Sequence, residues 1–259
     1  MTRKSRVWNA IAVIAWAGAV TVIAARAPAT TPQQTQSLPS TPERLSEMRH
    51  HFGDVLLVHE AVIRGDLPAV RAPAMRVASV AVPTLVPETA TAFVLALRQA
   101  GQLAARATTL FEAATATVAM VTECAKCHRT VGVFPAVNAR RPPEIGGVLG
   151  HMMEHQLATD DMLVGFMVPS PSQWRTGTER LRVAPLGPSE MPRDPKMTTW
   201  RREADVRLRE IADRASAADT IEDRASAYAE IITTCSQCHS VHSTVWGPGR
   251  GGRGVVFKF

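Results

Sequence analysis

The residues Cys124-Ala125-Lys126-Cys127-His128 decide how the rest of the chain is read, and the pattern returns as Cys235-Ser236-Gln237-Cys238-His239, 111 residues later. C-x-x-C-H is the attachment signature of a c-type haem. Two thiols three positions apart can each add across one vinyl group of the porphyrin edge, and the adjacent His then coordinates iron from below. The two boxes use all four cysteines of the chain. A four-cysteine zinc site would place its two pairs about 15–20 residues apart, and a pair of structural disulfides gives no role to the His. The pattern therefore predicts two covalently bound haem c groups, held by Cys124, Cys127, Cys235 and Cys238, with His128 and His239 as proximal iron ligands.

Working outward, the segment before each box reads as helix. Leu110, Ala114, Val118 and Val121 form a stripe leading into the first box, and Met48, Phe52, Val55, His59 and Val62 form another at spacings of three and four. Gly65 is the natural stop of that first helix. Further helices are expected over 68–79, 88–106 and 108–127. Aromatic residues make up only 5% of the chain, with one tyrosine, which also favours an all-α fold.

Superposing the halves exposes a duplication. A shift of 104 lays Met48 and His51 on Met152 and His155; a shift of 111 lays Leu97-Arg98 on Leu208-Arg209, Ala104 on Ala215, and box on box. A longer Pro/Gly-rich connection in the second half, 183–195, accounts for the change of register. The expected organisation is two tandem four-helix-bundle haem domains, at 43–135 and 144–245. They are joined by a linker at 136–143 and followed by a tail at 246–259.

The N-terminus carries Arg3, Lys4 and Arg6 ahead of nineteen uncharged residues, Val7 to Ala25, enough helix to span roughly 28 Å. Residues 1–29 are expected to be a signal peptide or membrane anchor, and 30–42 a flexible tether. Either outcome places the haem domains on the extracytoplasmic, periplasmic side, tethered to the inner membrane or, after cleavage, soluble. The net charge of +6 includes four basic residues from 1–29, leaving +2 elsewhere. That is no footprint for nucleic acid.

A four-helix unit with its haem box at the end of the last helix resembles the class II c-type cytochromes, the cytochrome c prime group. The turn Ala61-Val62-Ile63-Arg64-Gly65 is similar to the end of that family's first helix. The resemblance implies a distal methionine on the first helix in six-coordinate members and an open distal side in others. It also implies association of copies through first helices. Here Met-x-x-His stands in place of a lone Met. Residues three apart share a helix face, so His51 and His155 are the candidate distal ligands, with Met48 and Met152 as alternatives. His50 and His151 are expected to face solvent, His59 to lie in the core or near a propionate, His242 at the surface, and Trp174, in register with Val70, at a bundle end with Trp200. Iron with both axial positions filled suits electron transfer, so the expected partners are a membrane electron-transfer complex and soluble carriers. A haem enzyme or gas-binding protein with an open distal site is the alternative. No nucleotide loop or nucleophile elbow points to another enzyme class.

Overall fold

The computed structural model describes residues 41–81, 87–135, 146–182 and 195–241. Among these residues there are eight helices and no strand: α1 Pro42–Ile63, α2 Leu67–Ala78, α3 Glu88–Arg106, α4 Leu110–Val131, α5 Gly147–Met167, α6 Pro171–Arg180, α7 Pro195–Ala215 and α8 Ile221–Val241. No helix among the described residues is long and apolar enough to cross a membrane. The expected N-terminal apolar segment, most of the tether, the linker, the Pro/Gly-rich connection, His242 and the tail all lie outside the described residues.

Local chemistry accounts for the helix ends. Thr41 accepts from the Arg44 amide, with Pro42 in the first turn. Asp66 does the same for α2 through the Ala69 amide. Thr109 and Glu112 form a reciprocal capping box on α4, which satisfies two amides that the helix leaves unpaired. Gly65 sits at φ +68°, while its amide and that of Asp66 donate to Val62 and Ala61. This is the Schellman closure that a left-handed glycine makes cheap.

The helix that bears the first box runs further than the expected 108–127. The α4 helix continues through Cys127 and His128 to Val131, where Gly132 at φ +66° stops it, because nothing in Cys124–Val131 breaks the helix. Each box thus lies within its helix, one turn or less from the end.

In the first half α1 packs on α2 and α4, α2 on α3, and α3 on α4; in the second, α5 packs on α6 and α8, and α7 on α6 and α8. The halves meet through α4 against α8 and α5, and α1 against α8. One apolar cluster runs through both, including Val55, Val62, Val70, Met120, Met162, Phe166, Trp174, Ile211 and Ile231. Trp174 is a correction to the expected bundle end: it is 2% exposed, its indole N–H donates to the Ala215 carbonyl at 2.8 Å, and the Arg224 guanidinium lies 5.4 Å from its ring centre. With that donor satisfied, the ring is free to fill the core. Its counterpart Val70 is equally buried.

Candidate functional site

No disulfide joins any of the four cysteines. On a helix the two thiols of a box, three positions apart, share a face. Burial first, then the neighbouring Cys127 and Glu123, pushes Cys124 up to about 12; burial likewise takes Cys235 up to about 12 and Cys238 to about 11, and raises Cys127. Among the described residues no three cysteines converge.

Each box histidine is held by the other half of the chain. His128 Nδ1 donates to the carbonyl of Met167, the last residue of α5, at 3.0 Å; His239 Nδ1 donates to the carbonyl of Ile63, the last residue of α1, at 2.7 Å. Ile63 and Met167 are repeat partners under the shift of 104, as the two histidines are under 111. A carbonyl only accepts, so the proton is on Nδ1 and the Nε2 lone pair is left for a metal. Burial, against the opposing effect of those carbonyl bonds, holds both rings below the usual imidazole range. They are therefore neutral near pH 7, as a ligand must be. Two neutral thiols and an oriented Nε2 make up the donor set that a c-type haem asks for.

The distal candidates fare unequally. His155 is half-buried and lies near the second box: burial, His151 and His239 all disfavour its protonation, taking it to about 4 against the opposing pull of Asp205. Cys238 also feels the charge of Asp205. His51 is half-buried and lowered by burial, and the charges acting on it (Glu47, Asp54 and His50) all lie on α1. Met48 is 43% exposed, whereas Met152 is half-buried. His155 is thus close enough to His239 for their charges to interact, while the side chain of Met48 is the most solvent-facing of the four.

His151 departs from the expected solvent position. It is buried, its Nε2 lies 3.4 Å from Asp205 Oδ1, and its ring centre is 4.4 Å from that of His155. Four residues before His155, it returns to the same helix face, a spacing that could have found it. The Asp205 carboxyl, which burial alone would raise, is lowered by the His151 bond and by His151, His155 and Arg209. The donor atoms of His151, His155 and Asp205 fall within 4.8 Å of one another, a nitrogen and oxygen set that suits borderline metals. His50, in contrast, is exposed and bonded to the Ser46 carbonyl, as expected.

His59 is fully buried, as the core alternative required, and shares a 2.6 Å hydrogen bond with the Tyr228 hydroxyl. Its Nε2 faces Asp160 Oδ1 at 3.6 Å. Neither Tyr228 nor Asp160 stands out in the sequence as a partner for it. Comparison of the chain with family models, with curated proteins and with solved structures gives no match.

Proposed function

We propose that the chain is a dihaem c-type cytochrome that passes single electrons on the extracytoplasmic side of a membrane, between a membrane electron-transfer complex and other carriers. In this reading each half is a four-helix haem unit. Cys124 and Cys127 hold one haem and Cys235 and Cys238 the other, with His128 and His239 below the irons. The observation that carries it is the matched pair of box histidines, each fixed through Nδ1 by a backbone carbonyl with Nε2 left to coordinate. When bound, a haem would supply one-electron chemistry at its iron, and the chain would hold it through the four cysteines and the two box imidazoles that the carbonyls fix. His155 takes the distal place at the second haem and His51 at the first, with Met152 and Met48 the alternatives.

The test is production of the full chain in a host that matures c-type cytochromes. Two haems that survive denaturing electrophoresis, with a mass increase of two haem groups, are the expected outcome. A chain that carries zinc or no Soret band defeats the reading. Exposure of the reduced protein to carbon monoxide then separates the two roles: no spectral change fits a carrier, and fast binding at one iron fits the enzyme or gas-binding alternative.

A further inference from the structure

We propose that His151, His155 and Asp205 form a binding site for one divalent transition-metal ion of the zinc class, and that this ion competes with the second haem iron for His155. The site stands on the three side chains alone; the competition rests on the haem reading above. His151 and His155 are four residues apart on α5 and share one helix face, a spacing that lets two imidazoles reach one metal ion. Asp205 comes from α7. The three donor atoms fall within 4.8 Å of one another, and among the described residues no other three His, Cys, Asp or Glu side chains come so close. Ligand bonds of about 2.0–2.2 Å to a tetrahedral zinc place its donors about 3.3–3.6 Å apart. His151 Nε2 and Asp205 Oδ1 already stand 3.4 Å apart. That is longer than the usual N–H···O bond and falls within the span of two ligands on one ion.

The surroundings suit a cation that is partly withdrawn from water. His151 and Asp205 are each 8% exposed, and His155 is half-buried. The two imidazole planes are 55° apart with ring centres at 4.4 Å, so the rings meet without stacking. Two imidazoles and one carboxylate suit a zinc-class ion and leave it a position for water. Arg209, one turn beyond Asp205, acts on both Asp205 and His155 and opposes the cation by its charge. The first half has no counterpart: the same registers place Glu47, His51 and Val94 there, and valine supplies no donor. The run His151-Met152-Met153-Glu154-His155 also has the His-x-x-Glu-His order of a class of zinc peptidases. Here Glu154 pairs with Arg180 of α6 at 3.1 Å, so the geometry supports metal binding and not hydrolysis.

His155 is also the candidate distal ligand of the second haem. One ring nitrogen cannot serve two metals, so an ion held by His151, His155 and Asp205 withdraws His155 from the iron. Met152, three residues earlier on the same helix face, then remains as the distal candidate. No such exchange is open to the first haem, whose half lacks the ion site.

The test is a titration of the full two-haem chain, first stripped of divalent ions with a chelator, by zinc ion alone. Binding is read by calorimetry and by zinc content after desalting, and the haems by their visible spectra. One zinc per chain is expected, with a change in the spectrum of one haem that saturates as the zinc does. His151→Ala and Asp205→Asn are each expected to weaken zinc binding more than about tenfold, since even an outer partner of a metal ligand is worth about 10–100-fold. His50→Ala, at an exposed ring bonded to the Ser46 carbonyl, should leave it unchanged. Far-UV circular dichroism confirms that the variants are folded, and Asp205→Asn keeps the shape of the side chain it replaces. A natural chain that takes up no zinc, or zinc that both variants hold as tightly as the natural chain, overturns the site. Zinc bound with both haem spectra unmoved overturns the competition. A chain that carries no haem instead fails the reading on which the competition rests. The dependence of zinc on His151 and Asp205 then still decides the site, because box thiols would hold zinc without them.

Discussion

The two halves of the chain agree where a haem would be attached and disagree around it. The boxes match, and so do the carbonyls that hold their histidines, Ile63 against Met167. The neighbours do not. Trp174 stands where the first half has Val70, His151 where it has Glu47, and Asp205 where it has Val94. Attachment geometry would tolerate little change, because a porphyrin would require the thiol spacing, and the Met167 and Ile63 carbonyls fix the imidazole tautomers. The surroundings are free to diverge, and they set potential and stability. The residues around the two boxes differ in charge and size, so the two haems of the proposed function are expected to be chemically distinct.

The strongest way to break this comparison is to remove one box. Cys238→Ala is expected to leave the second haem lost or singly tethered, with the first half's spectrum intact; Cys127→Ala should do the converse. Mass and pyridine haemochrome content check it, and a variant that keeps two doubly tethered haems contradicts the assignment. Next in size is the core contrast. Trp174→Ala empties a large buried site and is expected to cost about 3–5 kcal/mol, whereas Val70→Ala at the equivalent place removes far less buried area. Denaturant melts of the two variants measure the difference, and equal costs would mean that the second half does not depend on its larger side chain.

A smaller effect separates the glycines next to the boxes. Both Gly65 and Gly132 have positive φ, so alanine at either is expected to cost about 1–2 kcal/mol. At Gly65 a Cβ would also meet the Ser240 amide nitrogen at 2.9 Å, next to His239. Gly65→Ala should therefore disturb the second haem's spectrum as well as stability. Gly132→Ala should show the stability cost, and a second-haem disturbance of equal size there would remove the contrast.

Much of this is legible in the sequence, and the rest is hidden for a physical reason. The stripe around Val55 and Val62, the stop at Gly65 and the shift from His51 to His155 are local or periodic signals, which a linear chain displays. The shift also pairs Ile63 with Met167. That His239 binds Ile63 rather than Met167 is not visible, because periodicity shows which face of a helix is buried and not which neighbour covers it. The same limit conceals Asp160 and Tyr228 as partners of His59, since they come from the other half and share no spacing with it. The sequence alone puts Trp174 at a bundle end because a large ring with a polar N–H often sits at an edge; the Ala215 carbonyl, supplied by α7, makes the core available to it.

The finest test of the asymmetry is Asp205→Asn. The carboxyl is bonded to His151 and close enough to act on His155 and on Cys238 of the second box. His151, His155 and Arg209 hold it below the usual carboxylate range despite burial, so it is an anion at neutral pH. A fixed negative charge beside a haem favours the ferric form, and a neutral amide of the same shape withdraws that preference. The second haem's midpoint is expected to rise by an amount on the order of tens of millivolts, with the first haem unmoved, since Val94 occupies the corresponding place there. Stability should change little, because the oxygen of the substituted amide can still accept from His151. A shift shared equally by both haems would mean that Asp205 acts through the whole fold and not on its own box. No shift at either would mean that water already screens its charge.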